Sequence, residues 1–313
     1  MGEGKMTGLL TLPGHILCKR EVLGKTFDCR IAGIEVQICF PQYPIVDTDN
    51  PIIGIMNPLL PPIVGTKWKR GKETLSWGEP LDYPEGNSCV HLLALSITCE
   101  KEQVSDYARR IYASIQKWVD AFINHLILDA KQGLERNENT SQYTSYLELL
   151  DDKYISDNKT INISLRIPDA ESYASEMNII NAIAFANSGK ELLLEYQMLL
   201  SAYEAIQLNQ NRRAILDACS AMEITIVNQI NQYCLSKGVP PEILINKYRF
   251  LGERIELLKK IGCCFPNEDY KALVVDPRNA LMHNKDINPS DETTDKLFSC
   301  VETFINHFYS AYY

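Results

Sequence analysis

Residues 211–235 read NRRAILDACSAMEITIVNQINQYCL. Ile215, Cys219 (or Ala218), Met222, Ile226, Ile230 and Tyr233 recur every three to four residues, which puts them on one face of a helix. Gly238-Val239-Pro240-Pro241 ends the pattern, because glycine takes the left-handed closing position and proline cannot continue a helix. This is the strongest helix in the chain. From about residue 170 onward its neighbours are helical too: 172–183, 191–208, 242–247 and 251–261. A last helix follows Pro289, with Ser290 as its N-cap, acids in its first turns and a stripe of Leu297, Val301, Phe304, Ile305, Phe308 and Tyr312.

Upstream the period changes. Residues 8–100 are β-rich: Phe27, Cys29 and Ile31 alternate with polar neighbours, and Ile34 to Phe40 repeats the period of two. Residues 87–99 form a later strand carrying Val90, Leu92, Leu93, Leu95 and Ile97. Frequent glycine and proline mark short connections. Val104, Ala108, Ile111, Ile115, Trp118, Phe122 and Leu126 then predict an amphipathic helix over 101–132. His125 on it reads as a surface or half-buried histidine. Residues 147–154 are expected to be a short helix and 160–167 a strand. The expected organisation is therefore α+β: a β-rich domain over 1–168, sensing or regulatory in role, followed by an all-α bundle over 169–313.

A net charge of −9 provides no global basic field, so any nucleic-acid contact must be local. Trp68 and Trp77 flank a basic loop, residues 67–72, which reads as a solvated hairpin beside core tryptophans or, alternatively, as a stacking surface for single strands. The ten cysteines contain no Cys-x-x-Cys, and no metal set is expected from them. Adjacent Cys263 and Cys264 read as packing residues, and Cys29, Cys39, Cys219 and Cys234 as small buried hydrophobes. That usage suits a reducing cytosol. No signal-peptide pattern and no apolar run of membrane-spanning length is present, so a cytoplasmic protein without a membrane partner is expected.

One octet carries chemistry: Asp276-Pro277-Arg278-Asn279-Ala280-Leu281-Met282-His283. Asp276 suits an N-cap and Pro277 the first helical position, so a helix is expected to start here. Asn279 and His283 are four apart and share a face. A guanidinium, an amide and an imidazole at a helix N-terminus suit anionic oxygens such as phosphate. Twelve arginines and five histidines in 313 residues would give such a spacing by chance, so its surroundings must carry the weight.

Those surroundings resemble a HEPN domain (higher eukaryotes and prokaryotes nucleotide-binding) of the Apea-like branch, over about residues 190–313. Tyr196 to Ile206 followed by Asn211 to Glu223 is similar to the family's first helix pair, with its Ala221-Met222-Glu223 ending in mid-helix. Phe250 to Leu258 is similar to the segment before the motif helix. Arg278-Asn279-x-x-x-His283 resembles the family's Arg-x(4–6)-His motif, polar residue included.

The resemblance implies a metal-independent endoribonuclease that needs no cofactor and works as a homodimer, with two motif copies facing one cleft. The RNA 2′-hydroxyl attacks the adjacent phosphate and leaves a 2′,3′-cyclic phosphate. His283 would move protons, Arg278 would meet the growing phosphorane charge, and Asn279 would fix the imidazole or a phosphate oxygen. From its own chemistry, Glu223, a carboxylate among apolar residues, either pairs with Arg278 and orients it or faces solvent or an unrelated partner. The family also implies a role in bacterial anti-phage defence, abortive infection or toxin action, with a phage or regulatory trigger acting on the N-terminal domain. The alternative is a catalytically inactive HEPN module that dimerises or binds nucleotide or protein. An enzyme housed in the N-terminal domain would need a nucleophile elbow, phosphate loop or carboxylate pair, and the sequence offers none there.

Overall fold

The computed structural model describes residues 3–44, 58–62, 77–82, 85–132, 147–150, 172–283 and 288–309. The chain is α+β and divides into two units, Met1–Lys190 and Glu191–Tyr313.

The first unit is built on an antiparallel sheet of six strands. These are β1 (Glu3–Cys18), β2 (Thr26–Ile31), β3 (Ile34–Cys39), β4 (Gly78–Pro80), β5 (Ser88–Glu100) and β6 (Leu147–Leu150). Their order is β2-β3-β5-β1-β6, and β4 pairs with β5. The alternation in β2 and β3 is the one-sided burial of an edge hairpin: Phe27, Cys29, Ile31, Ile34, Val36 and Ile38 are buried and the residues between them exposed, until Cys39 at the end of β3 is buried too. The hairpin turns at Ala32 and Gly33, both left-handed at φ 52° and 77°. This matches the twist that two-residue hairpins require, and glycine takes it without steric cost. β5 is buried from Ser88 to Ile97 on both faces, which explains its nearly continuous apolar run.

Among the described residues of this unit are two α-helices, α1 (Val104–Ala130) and α2 (Glu176–Ser188). Ile111, Ile115, Trp118, Phe122 and Leu126 of α1 are buried as their spacing predicts. The Asn178 and Asn181 side-chain amides of α2 donate to Asp129 Oδ2 of α1 at 2.9 and 3.3 Å. The Trp118 indole N–H donates to Asn187 Oδ1 at 3.1 Å. These contacts tie residues 172–190 to the first unit, so the division falls after Lys190 rather than after residue 168. α2 also buries Ile179, Ala182, Ile183, Phe185 and Ala186, and Ala174 forms a β-bridge with Cys18, so apolar packing and backbone pairing act alongside these polar contacts.

Three further expectations differ from the structure. Leu147–Leu150 is a strand that pairs with Thr7–Leu10 of β1, not a helix. His125 is buried at 1% exposure and stacks on Phe185, with ring centroids 5.0 Å apart. Cys264 is exposed and Cys263 half-buried, so that pair is not core packing, whereas Cys29, Cys39, Cys219 and Cys234 are buried. The expected strand at 160–167, residues 67–72 of the basic loop and Tyr312 lie outside the described residues; Trp77 is buried.

The second unit is helical: α3 (Leu194–Gln207), α4 (Asn211–Lys237), α5 (Pro241–Lys247), α6 (Leu251–Lys260), α7 (Asp276–His283) and α8 (Asp291–Tyr309). α4 is its axis and packs against all the others. Ala214, Ile215, Ala218, Cys219, Met222, Ile226, Ile230 and Cys234 form its buried stripe. Asn211 at its start donates to Asp291 Oδ1 at 2.6 Å and to the Pro289 carbonyl at 3.1 Å, which fixes the entry of α8. Ser290 caps α8 by accepting from the Thr293 N–H at 3.2 Å. Phe304 lies at the centre of an aromatic cluster with Phe265, Tyr270 and Phe308, each ring centroid 5.1–5.5 Å away. No described helix is long and apolar enough to cross a membrane.

Candidate functional site

Helix α7 does not begin where its sequence suggests. A π-helical turn, Lys271–Val275, runs directly into Asp276, which has helical dihedrals (φ −67°, ψ −46°) and donates its N–H to the Lys271 carbonyl. The true N-cap lies seven residues earlier, at Asp269, whose Oδ1 accepts from the Ala272 N–H at 3.1 Å. Pro277 accounts for the wide turn: inside a helix its ring meets the carbonyl four residues back, and a π-turn makes room for it. This continuity of the helix has a chemical consequence. Arg278 and Asn279 sit inside a continuous helical path, so no set of free backbone N–H groups awaits an anion at Asp276.

What the helix does position is a charge pair. Arg278 Nη2 lies 2.7 Å from Oε1 of Glu223 on α4. Their side chains are 26% and 28% exposed, so the pair is partly shielded from water and held between two helices. Its floor is the buried Cys219, one turn before Glu223. Burial pushes that thiol up to about 12, Arg278 pulls it down and Glu223 pushes it further up. A guanidinium so anchored keeps N–H groups for an anionic oxygen while its orientation is set by the carboxylate.

Asn279 and His283 are both exposed and lie four apart, so they share the outer face of α7. At roughly 100° per residue, Arg278 and His283 are about 140° apart around the helix. Within one chain, therefore, the helix joins Arg278 to Glu223 and Asn279 to His283 but does not fold all four into one pocket.

A second guanidinium reaches this helix end. Arg212 of α4 donates from Nη2 to the Leu281 carbonyl at 2.9 Å, satisfying one of the last acceptors of α7 two residues before His283. No spacing in the sequence singles out Arg212, because its partner is a backbone atom 69 positions away.

The N-terminus of α6 also borders the motif helix. A Cβ built at Gly252 would lie 3.7 Å from Val275 Cγ1, one residue before α7. Phe250, just outside α6, is 70% exposed, and Met282 beside His283 is 57% exposed. A comparison of the chain with protein-family models, curated proteins and solved structures finds no match.

Proposed function

We propose that the second unit is a HEPN-type, metal-independent endoribonuclease that acts as a homodimer. The observation that carries the reading is the Glu223–Arg278 ion pair, which links a mid-helix acid to the arginine of the Arg278-Asn279-x-x-x-His283 motif. A mid-helix carboxylate among apolar residues needs a partner, and here that partner is the motif arginine 55 positions away in sequence.

In this reading Arg278 holds a non-bridging phosphate oxygen. An exposed imidazole takes the proton of the RNA 2′-hydroxyl as its oxygen bonds to phosphorus. The bond from phosphorus to the 5′-oxygen breaks, and a protonated imidazole gives that oxygen a proton. The products are a 2′,3′-cyclic phosphate and a 5′-hydroxyl. One motif offers one imidazole, so two protons in flight call for His283 from each of two subunits, related by a twofold axis. Exposed Met282 and Phe250, at the two ends of the motif region, are surfaces that such a partner would cover. Residues 165–313 carry 14 basic against 19 acidic side chains, so RNA is held locally rather than by a broad field. A defence or toxin role fits a nuclease kept quiet by weak RNA affinity, with a trigger acting through the first unit.

The test is cleavage of a defined RNA by the purified chain in EDTA, with Arg278→Ala and His283→Ala alongside. Loss of cleavage in both supports the reading. Cleavage that requires added Mg²⁺, or that survives both substitutions, removes it.

A second reading has its own observation. Arg278 is committed to Glu223 and lies on a different face of α7 from His283. An ion pair that simply staples α7 to α4 would leave the same motif in a non-catalytic dimerisation or binding module. That reading gives a dimer with no RNA cleavage.

A further inference from the structure

The first unit contains a cluster that the nuclease reading does not use. His15, Cys89 and His91 each offer a ligand atom, and these atoms all lie within 4.8 Å of one another. We propose that the three residues form a binding site for a zinc-class transition-metal ion.

The sheet builds the cluster from strand geometry. Cys89 and His91 are two apart on β5, so their side chains leave the same face. That face also carries Leu93 and Leu95, the latter opposite buried Ile38 of β3. His15 arrives from β1. The register pairs Thr11 with Leu92 and then Ile16 with Val90, so an irregular stretch of β1 stands against His91 alone. That irregularity, between Thr11 and Ile16, brings His15 beside His91, with ring centroids 5.0 Å apart. On the far side of β5, Glu79 of β4 stands opposite Cys89.

The chemistry of the donors points to a ligand. His91 is only 5% exposed, and among the described residues neither of its ring nitrogens has a hydrogen-bond partner. A buried imidazole with both nitrogens unsatisfied is costly, and a metal ion removes that cost at one of them. Zinc binds cysteine as the thiolate, so the Cys89 thiol gives its proton to solvent as the ion binds. Two imidazoles and a thiolate are a borderline-soft set that suits zinc. Tetrahedral zinc, with bonds of about 2.0–2.3 Å, holds its ligand atoms roughly 3.3–3.8 Å apart, inside the 4.8 Å that encloses the three atoms here. The three ligands leave a fourth position, open to water or another donor.

The sequence held part of this signal. Cys89-Val90-His91 is a Cys-x-His pair in a strand, and the expectation of no metal set passed over it. His15 lies 74 residues earlier and only the β1–β5 pairing brings it in.

The experiment uses the full chain, stripped with EDTA and reloaded with Zn²⁺, or with Co²⁺ as a spectroscopic probe. We expect one ion per chain by elemental analysis and a thiolate-to-cobalt charge-transfer band. Cys89→Ser should abolish the band. His15→Ala, at a half-buried position, should keep the fold by circular dichroism and weaken Zn²⁺ affinity by more than about 100-fold, since changes outside the ligand shell alone reach that size. If Cys89→Ser does not fold, His15→Ala decides. An absence of stoichiometric metal, or binding that His15→Ala leaves unchanged, would overturn the assignment. RNA cleavage is not a readout here, so this test and the nuclease test fail separately.

Discussion

Arg278 Nη2 and Glu223 Oε1 stand 2.7 Å apart between helices α7 and α4. The pair joins the motif helix to the axial helix of its unit at a partly shielded position. Removing either partner leaves the other half-buried and uncompensated. A double-mutant cycle of Glu223→Ala and Arg278→Ala, read by urea denaturation, should give a coupling of about 1–3 kcal/mol. Additive losses would mean that the two side chains do not interact in solution.

Arg212 donates to the Leu281 carbonyl at the end of α7. Arg212→Ala leaves that acceptor to water and should lower stability by about 1 kcal/mol in the same denaturation experiment. Hydrogen exchange at the C-terminal end of α7 should quicken more than exchange in α3. Uniform exchange across the unit would contradict a local capping role.

His125 supplies a pH dependence. Burial lowers its pKa, and Asp129 opposes that only in part. The unfolded chain therefore takes up a proton near pH 6.5 while the folded chain stays neutral to lower pH. Protons bind the unfolded state more, so this residue makes stability fall as pH drops below about 6.5. His125→Gln should flatten that limb of the stability–pH curve. An unchanged slope would show that His125 does not titrate differently on unfolding.

Phe304 is fully buried against Phe265, Tyr270 and Phe308. Phe304→Ala should cost about 3–5 kcal/mol by leaving a cavity. His307→Ala, at an exposed position on the same helix, should cost under about 1 kcal/mol even though its ring meets the Cys264 carbonyl at 2.9 Å. Comparable losses from the two would place the core elsewhere.

Periodicity made much of the fold legible. The alternation of Phe27, Cys29 and Ile31 and the stripe from Ile215 to Ile230 both report burial on one face, and burial is what the hydrophobic effect writes into a sequence. Asp276 misled because Asp-Pro is a strong local start signal, yet a π-turn begun at Asp269 carries the helix through it. Leu147–Leu150 was too short for its period to decide between helix and strand. Its pairing with β1 decided it. Residues 172–190 join the first unit through the apolar residues Ile179, Ile183 and Phe185 together with Asn178, Asn181 and Asn187; an apolar stripe on a helix does not say which unit it packs on. Of the site, Arg278, Asn279, His283 and the Glu223 partnership were readable as candidates. Arg212 was not, since it acts on a backbone carbonyl. The His15–Cys89–His91 cluster depends on a strand register that spacing alone does not encode.

The central claim is that His283 moves protons during RNA cleavage. Its most direct test is end-group analysis of a defined RNA incubated with the wild-type chain and with His283→Ala, both in EDTA. The wild type should yield 2′,3′-cyclic phosphate and 5′-hydroxyl ends. His283→Ala should be slower by roughly 10²–10⁴-fold while its unfolding midpoint is unchanged. Cleavage by His283→Ala at the wild-type rate, or products bearing a 5′-phosphate, would contradict the account.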